Sequence, residues 1–113
     1  MEARLNPYKA APKAYEAMMA LQSYVNSCGL KAPLLELVKL RASQINGCAY
    51  CIDMHTKDAR AAGETEQRLY LLDAWREAPF YSERERAALL WTEALTKITE
   101  GHVPDAVYAQ AKA

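Results

Sequence analysis

An all-α fold, a single-domain helical bundle of five to six helices, is predicted on three observations. Apolar residues recur at spacings of three and four over several stretches, no stretch alternates persistently between apolar and polar, and proline and glycine fall where helices should begin and end. Neither a repeat nor a low-complexity tract nor a flexible linker interrupts the chain, so residues 1–113 read as one domain. A chain of 113 residues can build one hydrophobic core, near the size at which a partner subunit often helps to bury apolar surface.

The first helix is expected from about Pro12 to Ser27, with Tyr15, Met18, Met19, Leu21, Gln22 and Val25 mixing core and surface, and a stop at Gly29. Pro33 opens the second. Its Leu34, Leu35, Leu37, Val38, Leu40 and Ile45 are apolar on more than one side, which marks a central helix in which Glu36 is the exception. Asn46-Gly47 breaks it, and a third helix starts near Cys48, carries Ile52, Met54, His55 and Ala59, and ends at Gly63. Thr65 can cap a fourth through about Trp75, ended by Pro79. Ser82 with Glu85 three residues on fits a capping box for a fifth, whose Ala88, Leu89, Trp91, Thr92, Leu95 and Ile98 keep helical spacing up to Gly101. Pro104 starts a last short helix to Ala113.

Composition narrows the function. Lysines and arginines number 14 against 14 aspartates and glutamates, so no charge excess favours nucleic acid or an anionic membrane surface. No apolar run approaches the roughly 20 residues that span a bilayer. The amino terminus, Met-Glu-Ala-Arg-Leu-Asn-Pro, lacks the apolar core of a secretory signal, and the expected location is the cytoplasm. In a reducing compartment a close pair among three cysteines is more often catalytic or metal-binding than a structural staple.

That pair is in Gly-Cys-Ala-Tyr-Cys-Ile-Asp-Met-His, Gly47 to His55. On a helix, at about 100° per residue, Cys48, Cys51 and His55 fall within roughly a 60° arc and can converge on one small volume. Unpaired amides and the positive dipole end at a helix start stabilise a thiolate, the form that attacks peroxides and disulfides. Cys51 neighbours His55 at i to i+4, which makes it the better nucleophile, with Cys48 placed to resolve the oxidised product as a disulfide. Glu36, a carboxylate on an otherwise apolar helix, is either solvated at an edge or folded back to orient and charge the imidazole.

Other readings compete. The CxxC could instead be half of a zinc site, with His55 and Cys28 or His102 supplying further ligands, although a second CxxC is absent and structural zinc pairs usually occupy turns. Cys28, next to a helix-ending glycine, reads as a buried small residue, and His102 as a solvent-facing helix terminus. Tyr24, Tyr70, Trp75, Phe80, Tyr81 and Trp91 supply bulk for the core or a subunit interface.

Glu36, eleven intervening residues, Cys48-Ala-Tyr-Cys51, three more and His55, set in Leu-Arg-Ala-Ser-Gln-Ile-Asn-Gly before the first thiol, resemble the alkylhydroperoxidase D (AhpD) core of the carboxymuconolactone decarboxylase superfamily. The resemblance runs from about Tyr15 to Thr96, with a domain core over about 15–100, and includes Asp-Ala-Trp-Arg-Glu-Ala-Pro-Phe-Tyr and Glu-Arg-Ala-Ala-Leu-Leu-Trp-Thr-Glu-Ala-Leu-Thr. It implies a helical homo-oligomer, commonly a trimer or hexamer, and a thiol peroxidase reaction needing no cofactor and no metal. By position, Cys51 resembles the residue that becomes a sulfenic acid, Cys48 its proton donor and disulfide partner, and Glu36 and His55 members of the proton relay. The oxidised pair would be reduced by an external dithiol, in the best-known relatives a lipoyl-bearing protein. Two departures stand out: Tyr50 occupies the place of a further family histidine, and relatives usually continue past the region of Ala113, so the chain reads as truncated there.

The expected function is therefore a peroxidase-like antioxidant enzyme that reduces alkyl hydroperoxides through a CxxC dithiol/disulfide cycle. The alternatives are a thiol-disulfide oxidoreductase acting on a partner protein, the lyase activity that names the superfamily, and a non-catalytic zinc-binding or assembly module.

Overall fold

The computed structural model describes residues 2–113, and every regular element among them is helical. The chain divides into two compact units, one through Leu30 and the other Lys31–Ala113.

The first unit holds α1 (Pro7–Ala10) and α2 (Pro12–Ser27). The turn α1 lies ahead of the first expected helix, yet its start is legible: the Asn6 side chain accepts from the Lys9 amide at 3.3 Å, and Pro7 supplies a preset φ. The Tyr15 hydroxyl donates to that of Tyr8 at 2.5 Å, tying the two helices together. No residue of α1 or α2 is buried. The expectation that Cys28 is a buried packing residue is therefore corrected. It is exposed, just past the end of α2, because the helix before it encloses no core, and its thiol donates to the Val25 carbonyl at 3.0 Å.

The second unit is built around α3 (Ala32–Asn46), which packs against α4 (Ala49–Ala61) and α6 (Glu83–Thr96). As its many-sided apolar pattern predicts, α3 is central, with Leu35, Leu37, Leu40, Arg41 and Ser43 buried. Leu37 and Leu40 join Ala59, Leu69, Leu72, Trp75, Ala78, Tyr81 and Leu89 in one core. Each such leucine contributes about 1.5–3 kcal/mol by leaving water.

Thr65 caps α5 (Glu66–Tyr70), its hydroxyl accepting from the Arg68 amide at 3.3 Å. The helix does not run to Trp75 as expected; it gives way to a 3₁₀ turn at Leu72–Ala74. Leu69, Leu72 and Trp75 are all buried and lie three residues apart, and a three-residue period keeps such positions on one side better than 3.6 does. The capping box forms: Ser82 Oγ accepts from the Glu85 amide at 3.2 Å, and Glu85 Oε2 accepts from the Ser82 amide at 2.8 Å. Helix α6 ends at Thr96, followed by a 3₁₀ turn at Ile98–Glu100, and Leu95 and Ile98 are exposed rather than core. Helix α7 (Asp105–Lys112) packs on α6, where Tyr108 meets the Trp91 ring at 6.0 Å.

Two polar networks brace this unit. Buried Arg41 on α3 donates to Glu93 on α6 through Nε at 3.0 Å and pairs with Asp73 at 2.5 Å. Glu93 also accepts from the Trp75 indole at 2.8 Å and pairs with Arg76 at 2.5 Å. Burial pushes the Glu93 carboxyl up, but hydrogen bonds from Trp75, Arg76 and Arg41 outweigh it and hold it below the usual carboxylate range. Arg68 bridges Glu64 on one side and Glu85 on the other and donates to the Phe80 carbonyl. Burial of Glu85 is likewise outweighed, here by Arg68 and Ser82, so its carboxyl also stays low. Among the described residues no buried side-chain polar atom lacks a partner.

Candidate functional site

The connection from α3 to α4 is two residues, Gly47 and Cys48. Gly47 adopts φ 64° and ψ 29°, the left-handed conformation that only glycine enters at little cost. Its amide donates to Gln44 O at 3.2 Å and that of Cys48 to Ser43 O at 3.1 Å, the paired bonds of a Schellman end. Cys48 is at once the residue after that end and the N-cap of α4, with extended backbone at φ −85° and ψ 97°. The sequence places Cys48 in the first helical turn. The structure moves it one step out, to the cap, where its sulfur accepts from the Cys51 amide at 3.3 Å.

Cys48 and Cys51 are joined as a disulfide, with Cα atoms 5.3 Å apart, and both are partly accessible. Both sulfurs lie at the amino end of α4, where unpaired amides and the helix dipole favour negative charge. Tyr50, between them, is 76% exposed.

One turn further along α4, His55 turns Nδ1 towards Glu36 Oε2 on α3, 2.9 Å away. The two expectations for Glu36 are thereby separated: it is the folded-back partner, not a solvated edge. Both side chains are mostly shielded, at 16% and 15% exposure. Glu36 reaches this position because α3 and α4 pack together as a hairpin, with Ala59 as the small buried contact on α4. An ionised carboxylate only accepts, so it holds the ring proton on Nδ1 and leaves Nε2 with the lone pair in the neutral ring. The other oxygen, Glu36 Oε1, lies 3.8 Å from Lys39 Nζ.

The four residues expected at the site fall into two pairs: a closed thiol pair at the start of α4, and a carboxylate–imidazole pair spanning the hairpin from α3 to the middle of α4. His102, considered as a zinc ligand, is exposed after the second 3₁₀ turn, as expected of a helix terminus. The sequence reading did not single out Asp58. It is exposed, three residues after His55 on the same face of α4, and offers an oxygen to a group in which the donor atoms of Glu36, His55 and Asp58 all lie within 4.8 Å of one another. The i to i+3 spacing from His55 was the available signal.

Among the described residues no helix is long and apolar enough to cross a membrane.

Residues 12–94 match the Carboxymuconolactone decarboxylase family. The chain is 46% identical over 112 residues to the uncharacterized protein YdfG of Bacillus subtilis (strain 168), covering 99% of this chain and 76% of that one. It is 36% identical over 72 residues to the uncharacterized protein YnjA of Escherichia coli (strain K12), covering 63% and 38%. A solved structure from Agrobacterium tumefaciens, that of a protein of unknown function provisionally described as the antioxidant defence protein AhpD, superposes with a TM-score of 0.92 at 49% identity, over 98% of this chain and 76% of that one.

Proposed function

The chain belongs to the carboxymuconolactone decarboxylase family and carries an AhpD-like core, and from that premise we propose that it is a thiol peroxidase acting on organic hydroperoxides. The observation that carries this reading is the Cys48–Cys51 disulfide at the start of a helix whose next turn holds an imidazole on a carboxylate. In the reduced protein the Cys51 thiolate attacks the distal peroxide oxygen. The O–O bond breaks, the alkoxide takes a proton to leave as alcohol, and Cys51 becomes a sulfenic acid. The Cys48 thiol then attacks the Cys51 sulfur, the S–S bond forms, and hydroxide leaves as water after taking that thiol's proton. His55, oriented through Nδ1 by Glu36, accepts and returns protons at Nε2. An external dithiol, in the manner of a lipoyl-bearing protein, would reopen the pair. The same proposal includes assembly as a homo-oligomer, trimer or hexamer: Met18, Leu21 and Tyr24 on α2 are 65%, 57% and 69% exposed, apolar surface of the kind a second copy covers.

A second reading, thiol-disulfide exchange on a partner protein, draws support from Tyr50, an exposed aromatic between the thiols, where the family's peroxidases have a further histidine. One experiment separates the two. Reduced protein is treated with one equivalent of an organic hydroperoxide and analysed by mass spectrometry. Loss of two hydrogens between Cys48 and Cys51, abolished in Cys51→Ser, is expected. Thiols that stay reduced to peroxide but oxidise against a protein disulfide would favour exchange, and thiols inert to both would end the redox reading.

A further inference from the structure

Around His55 there is more than a proton relay needs. Glu36 from α3, and His55 and Asp58 from α4, bring three donor atoms within 4.8 Å of one another from two helices packed as a hairpin. His55 and Asp58 are three residues apart on one helix face, a spacing that points two side chains at a common ligand, and the third donor arrives from the neighbouring helix. Imidazole with two carboxylates is a donor set that suits a borderline divalent ion. Zinc with donors at about 2.0–2.2 Å holds them roughly 3.4 Å apart in a tetrahedron. The Glu36–His55 pair, at 2.9 Å, has to open slightly, while the exposed Asp58 side chain has the freedom to close in.

We propose that Glu36, His55 and Asp58 form a binding site for zinc or a cation of its class, and that occupancy inhibits the thiol site beside it. The binding stands on the geometry alone; the inhibition rests on the peroxidase reading. A cation between Nδ1 and Oε2 takes the place of the ring proton there. In the neutral imidazole that proton moves to Nε2, so the ring keeps its charge but loses the lone pair that would accept a proton. The two carboxylates neutralise the charge of a divalent cation, and Lys39, 3.8 Å from Glu36, adds only a weak repulsion. The site uses neither sulfur of the pair, so it persists with the disulfide closed.

The test is zinc binding by the full chain in its disulfide form, measured by isothermal titration with zinc chloride and by competition against a colorimetric chelator. One zinc per chain is expected, weakened at least tenfold in His55→Ala and in Asp58→Asn, and retained in the Cys48→Ser/Cys51→Ser double variant. Far-UV circular dichroism confirms that each variant is folded. No binding to the disulfide form, binding only after reduction, or unchanged affinity in Asp58→Asn overturns the proposal. Zinc bound at these residues in a chain inert to hydroperoxide supports the site while removing the peroxidase reading. In a chain that turns over hydroperoxide, zinc should lower the rate of Cys51 oxidation at least tenfold at saturation, and an unchanged rate overturns the inhibitory half.

Discussion

Replacing Glu36 by Gln tests the carboxylate–imidazole pair with little change of shape. The bond from His55 Nδ1 to Glu36 Oε2 is 2.9 Å long, and its partners are only 16% and 15% exposed, so water screens it weakly. A hydrogen bond to an ionised group is worth about 1.5–3 kcal/mol, against roughly 0.5–1.5 kcal/mol between neutral groups. Glutamine keeps an acceptor but loses the charge, which removes about 1–1.5 kcal/mol from whatever state has the imidazole positively charged. If proton transfer at His55 contributes to the barrier, the rate falls about tenfold, since 1.36 kcal/mol is one decade. Complete removal of the imidazole in His55→Ala should cost more, on the order of a hundredfold or above. The assay is the second-order rate of thiol loss when reduced protein meets excess organic hydroperoxide, quenched by alkylation at timed intervals. Urea midpoints of the variants separate a catalytic effect from partial unfolding; the 3.8 Å contact to Lys39 is too long for its loss to matter much. A Glu36→Gln rate within twofold of wild type, alongside a large loss in His55→Ala, would refute the coupling of the pair.

Other substitutions probe the scaffold. Glu93→Ala leaves the buried Arg41 guanidinium with Asp73 and Gln44 alone and the Trp75 indole without its acceptor, which should cost about 3–5 kcal/mol and lower Tm by roughly 12–20 °C; a urea midpoint near wild type would contradict it. Leu37→Ala, at a fully buried position of α3, should cost about 2–5 kcal/mol in the same urea titration, and less than 1 kcal/mol would mean that the core there is loose. Because the carboxyls of Glu85 and Glu93 lie below their ordinary range when folded, the unfolded chain takes up protons first as pH falls. Their stabilisation is complete above about pH 4.5 and is lost as pH drops through the folded values. Urea midpoints at pH 6 and pH 3 should differ by less in Glu93→Gln than in wild type, and an equal difference would remove Glu93 from the acid response.

Much of this architecture is legible in the chain because helix ends carry their own chemistry. Pro12, Pro33, Gly47 and the Ser82–Glu85 box mark boundaries through φ restriction, left-handed backbone and cap bonds, none of which requires a tertiary contact. Glu36 was recognisable as a misfit on an apolar helix, and the residues alone left its pairing with His55 as one of two readings, since that bond depends on how α3 and α4 cross. The 3₁₀ turn after α5 escaped notice because Leu69, Leu72 and Trp75 suit a three-residue period and a helical one nearly equally over so short a run. Asp58 carried only the weak signal of its i to i+3 spacing from His55: an acidic residue on a helix surface is ordinary until a neighbouring helix delivers donors beside it. The exposure of Cys28 follows from a helix with no buried face, which no local pattern around the cysteine announces.

The sulfur of Cys48 serves two masters, as the atom that closes the disulfide and as the acceptor that receives the Cys51 amide at the mouth of α4. Opening the pair would therefore rewrite a backbone hydrogen bond. A Cys48 sulfur released from Cys51 Sγ is free to align on that amide, so reduction should tighten the first turn of α4 and oxidation loosen it. The exchange of the Cys51 amide with deuterated solvent, compared between the reduced and the oxidised protein, reads that difference.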